Sequence, residues 1–175
     1  MPSCRSLPPL SCWLAPLLLG AAVAVQAQVG ADAAPPAALE ARLQWAERRA
    51  AANPGDAQAR FLVGVVLMDL QRDAEAMARF QELAQEFPEL PDPQNNIALL
   101  HARAGRLEAA RVALETALRN DPGHRLARLN LGHVHLMLAV QAWEQAAAAG
   151  PLEPAMQRTL EGARALLGPR PVAAR

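Results

Sequence analysis

Lysine and tyrosine are absent from all 175 residues, and serine and cysteine occur only within the first twelve. Every basic side chain is therefore arginine, and Lys+Arg and Asp+Glu balance at 17 each. That balance gives no reason to expect nucleic acid, which favours a basic face, and no reason to expect an acidic tail. Beyond residue 12 the residues that most often act as nucleophiles are reduced to Thr116 and Thr159, both at positions that read as helix interior. Asp69, Asp73 and Glu75 are the one carboxylate group worth weighing for acid–base work, and they read as a turn and helix start. The chain therefore reads as a non-enzyme with no catalytic residue and no cofactor. Strand signals are also missing. Valine and isoleucine are sparse outside short runs, and no stretch alternates with period two. The abundant Ala, Leu, Arg, Glu and Gln lose little rotamer freedom in a helix, so the expectation is all-α.

The first 27 residues read as a secretory signal. Arg5 is the only charge before Asp32, and an apolar run follows from Cys12 to Val25, interrupted at Pro16. Val25-Gln26-Ala27 fits a small-x-small cleavage site, leaving Gln28 first. The run is shorter than the ~20 residues of a membrane-spanning helix, so an uncleaved inner-membrane anchor is the alternative to a periplasmic protein. Cleavage removes Cys4, Cys12 and all three serines, leaving a domain with neither thiol nor disulfide. Residues 28–36 and 168–175 are rich in Pro and Ala and are expected to be a disordered linker and tail around a domain at 37–167.

Within that domain the sequence repeats. Pro54, Pro88 and Pro122 are spaced 34 apart, and so are Gly64, Ala98 and Gly132. Arg60, Gln94 and Arg128 follow the same period, as do Asn96 with Asn130 and Ala76 with Ala110. A small residue at a fixed offset lets two antiparallel helices approach, and a proline at the end of each unit stops the second helix. Asp56 and Asp92 suit N-caps, and Gly105 suits a left-handed helix end. This punctuation predicts helices at about 38–52, 57–70, 74–87, 93–104, 107–120, 125–148 and 154–167. After Leu138 no turn residue appears before Gly150, so the third second helix is either shortened or fused to the first. The segment 154–167 is amphipathic, with Met156, Leu160, Ala163 and Leu167 on one stripe.

A 34-residue period of this kind resembles the tetratricopeptide repeat family. The units run 57–90, 91–124 and 125–150. Gly64, Ala76, Phe80 and Pro88 fit the family's motif places in the first unit, Ala98, Ala110, Leu114 and Pro122 in the second, and Gly132 in the third. Arg60, Gln94 and Arg128 depart from the pattern by standing where tryptophan is usual. The stretches Pro93-Gln94-Asn95-Asn96-Ile97-Ala98 and Leu129-Asn130-Leu131-Gly132-His133-Val134-His135 look like small periplasmic members from Gram-negative bacteria. The resemblance implies a right-handed superhelix of antiparallel helix pairs, about three units plus capping helices, acting as an envelope scaffold that binds a protein or peptide.

It also implies that first helices line the concave face, through their second, fifth, ninth, twelfth and thirteenth places. Phe61, Met68, Asn95, Leu99, Arg103, Leu129 and His133 are then the candidate partner-binding residues. The competing reading makes the apolar ones inter-helix core. No metal site is expected. His133 and His135 lie about 200° apart on a helix and cannot share an ion. His101 and His135 occupy a place normally filled by a buried aromatic, His124 falls in a loop, and a soft site of Met68, His133 and Met137 is a remote alternative. A second structural reading is a homo-oligomer that self-associates through Trp143, Met156, Leu160 and Leu167, unless 154–167 caps the third unit instead. Amino-terminal sequencing of the protein from an envelope fraction should begin at Gln28; recovery with Met1 intact in the membrane would establish the anchor.

Overall fold

The computed structural model describes residues 35–168. The expected signal, most of the expected linker and the tail from 169 lie outside the described residues. Seven helices follow one another: α1 (Pro36–Ala52), α2 (Ala57–Asp69), α3 (Asp73–Glu86), α4 (Pro91–Arg103), α5 (Leu107–Asn120), α6 (Arg125–Ala149) and α7 (Pro154–Leu167). There is no strand among the described residues. Pro36, expected in the linker, is instead in the first turn of α1, where a missing N–H costs nothing. Each helix packs on its sequence neighbour, and α4 also touches α6.

The helix pairs α2/α3 and α4/α5 are repeat units, and their turns share one construction. Arg72 N–H donates to Leu67 O and Gln71 N–H to Met68 O; 34 residues on, Arg106 N–H donates to His101 O and Gly105 N–H to Ala102 O. This double bond closes a helix end when one residue turns left-handed. Gly105 does so at φ +72°, where glycine carries no penalty, but Gln71 does so at φ 59° with a side chain.

The repeat prolines have a second role. Each lies just beyond a helix, where its carbonyl has no partner in the helical ladder. Arg60 Nη1 donates to Pro54 O at 3.3 Å, Asn120 Nδ2 to Pro88 O at 2.5 Å, and Arg128 Nη2 to Pro122 O. The arginines that replace the usual tryptophan thus tie the connection between units. Arg60 also pairs with Glu86 and lies 5.8 Å over the Phe87 ring.

Two of the expected local details differ. Asp92 does not cap α4. That helix begins at Pro91, whose fixed φ favours the first turn, and Leu90 precedes it without a side-chain cap. The Asp92 carboxylate meets His124 Nε2 at 3.0 Å, while His124 Nδ1 accepts from Ala127 N–H. His124 is therefore the N-cap of α6 and not a free loop residue.

The main core runs through α1 to α6, from Leu43 and Ala46 through Val66, Phe80 and Leu83 to Leu114, Ala127 and Val134. Its tightest point is Gly64. A Cβ there would stand 2.6 Å from the Phe80 ring, which also tilts against Phe61 at a centroid distance of 5.4 Å. Expected to fill the space between units, Phe80 meets Gly64 and Phe61 within its own unit. The third unit has no separate second helix. With no turn residue after Leu138, α6 continues for 25 residues until Gly150. A second cluster joins Val140, Leu136 and Trp143 of α6 to Leu160, Ala163 and Leu167 of α7. The residues considered for self-association are mostly spent there, inside the chain. No helix of the described residues is long and apolar enough to cross a membrane.

Three glycine-related changes separate these environments. Gly64→Ala should lower the unfolding free energy by about 1–3 kcal/mol, because the core is overpacked there. Gly132→Ala should raise it by up to about 1 kcal/mol, because nothing lies within 4 Å of the added methyl and helix propensity alone decides. Gln71→Gly should raise it by about 1 kcal/mol by relieving the left-handed residue. Denaturant titration measures all three; equal losses at positions 64 and 132 would show that a second helix covers α6.

Candidate functional site

The candidate face consists of the first helices α2, α4 and α6, and the structure divides its expected residues into two groups. Met68 is buried, and Phe61 and Leu99 are half-buried against the same core. These three pack into or against the main core. The end of the stack lacks a following unit. Leu129, two repeats on from Phe61, is accordingly 59% exposed, and Leu126 is 61% exposed. Arg103 and His133 are exposed as well.

Asn95 requires a correction. It was expected to offer a donor to a ligand, but it is 6% exposed and its Oδ1 accepts from Asn130 Nδ2 at 2.9 Å. The pair joins α4 to α6 through the core edge, and a buried amide without it would lose a hydrogen bond that water cannot replace. Asn130 escaped the sequence reading as a partner, although the adjoining fifth and sixth places of consecutive units both carry asparagine.

His135 is also displaced from expectation. It was assigned to packing at the eleventh place, where Leu67 is 2% exposed, yet His135 is exposed because α6 has no second helix beside it. At the same place in the second unit His101 is half-buried, and its Nδ1 accepts from Arg106 Nε at 3.0 Å. Burial, and then the nearby Arg106 charge, holds the His101 pKa below the ordinary histidine value.

Several charged groups at the face are already paired. Arg103 Nη1 meets Asp73 Oδ1 at 3.1 Å, and Arg42 Nη1 meets Asp69 Oδ2 at 3.5 Å. Both pairs are largely exposed, so each is worth little in stability and opens readily to a competing ligand. Met68, Asp69, Gln71, Asp73 and Arg103 line a depression of about 530 Å³ where the two units meet. Two further depressions, about 440 and 470 Å³, lie elsewhere on the stack. Arg60, Val63, Arg79 and Glu82 line the first; Gln94, Ile97, Ala113 and Thr116, each 34 residues on, line the second. Their repetition marks them as a consequence of helix stacking.

Metal chemistry has no support in this arrangement. Among the described residues no three His, Cys, Asp or Glu side chains stand together as an ion site. Met68 is buried at the floor of the Arg103 depression while His133 is exposed to solvent.

The tetratricopeptide repeat family model matches residues 35–91 and 95–150. No curated protein matches the chain. Asn95→Ala should lower the unfolding free energy by about 1–3 kcal/mol, by leaving the Asn130 amide without its acceptor. A thermal melt unchanged from wild type would place Asn95 on the open surface after all.

Proposed function

The chain belongs to the tetratricopeptide repeat family, and from that premise we propose that it is a non-catalytic scaffold of the bacterial cell envelope that binds a partner polypeptide. Such repeats mediate protein–protein interaction in general. The observation that carries the reading is the pair Leu126 and Leu129. They are large apolar side chains on a first helix, 61% and 59% exposed, in the same face as the paired and therefore exchangeable Arg103.

An apolar strip with Arg103 and His133 beside it suits an extended or helical segment, whose side chains pack while its carbonyls and carboxylates find donors. A sugar would want stacked aromatics, and the face has only the half-buried Phe61. A nucleic acid would want a basic stripe. Of the residues expected at the site, Arg103, Leu129 and His133 are the ones open to a partner. Phe61, Met68, Asn95 and Leu99 act behind them by holding the helices. Location in the periplasm rests on the amino-terminal sequence, and the proposal joins the two.

The test is cross-linked capture from an envelope extract with the full chain as bait. Arg103→Ala combined with Leu126→Ala and His133→Ala should deplete the captured species several-fold. Melting temperature should barely move, since exposed positions usually shift stability within about 0.5 kcal/mol. Capture unaltered by the triple substitution would refute the first-helix face as the binding surface.

A further inference from the structure

Among the described residues, the third unit leaves bare a face that the other two units cover with their own second helices. At the eighth place Gly64 lies under Phe80 and Ala98 is 1% exposed, but Gly132 is exposed and has nothing within 4 Å of a would-be Cβ. At the eleventh place Leu67 is buried and His101 half-buried, but His135 is exposed. The cause is the missing turn: α6 runs on past Leu138, so no second helix folds back. The α7 helix covers α6 only from Leu136 onward, through Leu136, Val140 and Trp143. Leu129 and Gly132 continue that same stripe toward the start of α6, at helical spacing and without cover.

We propose that this vacant second-helix place, centred on Gly132 between Leu129 and Leu136, receives an acidic amphipathic helix from a partner protein. Three observations fix the occupant's chemistry. The face adjoins the packed α6/α7 interface, so a helix laid there extends an apolar seam that already exists. The notch at Gly132 admits a bulky apolar side chain, as Gly64 admits Phe80. The flanking charges have one sign: between Arg125 and Trp143 the charged residues of the helix are Arg125 and Arg128, with no carboxylate. Glu144, the first acid on α6, pairs with Arg164 of α7, and on α5 Glu108 and Glu115 are held by Arg111. Arg128 donates one Nη to Pro122 O and keeps its charge. A second copy presenting this same face would set arginine against arginine, so like charge disfavours a two-fold dimer here.

The inference goes beyond the first-helix reading: the two surfaces meet along Leu129, and this one extends away from Arg103 to the side of α6 that carries the eighth and eleventh places. It is tested with two synthetic helix-forming peptides, binding to the full chain being followed by fluorescence anisotropy. One has a Phe/Leu face flanked by glutamates; the other has arginines in place of the glutamates. The acidic peptide should bind at least about tenfold more tightly than the basic one. Gly132→Leu, which fills the notch, and Arg125→Glu, which reverses a flanking charge, should each weaken it by about tenfold. Neither variant threatens folding: a leucine favours helix over glycine, and a carboxylate suits a helix start. Arg103→Ala should leave peptide affinity unchanged, which separates this face from the one proposed above. Failure of the acidic peptide to bind, equal binding of the two peptides, or indifference to Gly132→Leu and Arg125→Glu each overturns the proposal. A dimer in solution that Gly132→Leu dissociates also overturns it, by showing that the occupant is a second copy.

Discussion

Helix pairs in this stack close over positions where nothing larger than a methyl group fits. Gly64 is the extreme, with the Phe80 ring where a Cβ would be, and Ala98 and Ala110 show the same need one unit on, both almost wholly buried. Close approach there lets Phe80, Leu83, Leu114 and Val66 bury themselves almost completely with only modest side-chain volume. Dense interiors of this kind gain from many small dispersion contacts and lose heavily when one group is enlarged. Cavity or overpacking costs of a few kcal/mol are a large share of a domain's total stability. The small residue at the eighth place thus sets how closely a pair can pack where a second helix is present; Gly132 has the small residue but no second helix to meet it.

The connections between units follow from the same geometry. Once a pair closes, the chain must leave it and begin the next first helix, and proline at the exit prevents the second helix from running on. The cost is a carbonyl beyond the helical ladder, and at each of the three prolines a side chain reaches it: Arg60, Asn120 and Arg128. Arginine in place of tryptophan exchanges apolar filling for this hydrogen bond, while its stem still lies along apolar surface, as Arg60 does over Phe87. The many surface ion pairs add little to this by comparison. Most are exposed on both sides, where water and salt screen the attraction.

The period made most of the fold legible. Proline, glycine and N-cap spacing located seven helices within a residue or two of where they stand, because each punctuation mark has a local physical cause. The face was less legible, and the failures share one origin. Assigning a residue by its place in the unit assumes that every unit has neighbours on both sides. Met68 and Asn95 do, so residues read as ligand contacts turn out to be covered. His135 does not, so a residue at a buried place turns out to be open, while Leu129, expected on the face, is open as well. Asn95 also needed a partner, and Asn130 is recognisable as one only when the two helices are seen side by side. The fate of the third second helix was undecided in the sequence because the absence of a turn residue permits either a short helix or a continuous one.

That continuity has a consequence for how stability is distributed. The main core links six helices through side chains shared between units, whereas α7 is attached chiefly to α6 through three buried residues and their half-buried neighbours. Elements with few buried apolar contacts open at lower free energy than the core they adjoin. The α7 segment is therefore the least firmly held part of the described chain, even though its own amphipathic pattern is among the clearest. Its departure would uncover Leu136, Val140 and Trp143, and these lie on the same stripe of α6 as Leu129 and Gly132. The uninterrupted α6 thus places the open apolar surface and the weakest internal contact on one helix. Covering the first necessarily bears on the second, since anything that extends along the stripe past Gly132 meets the end of α7.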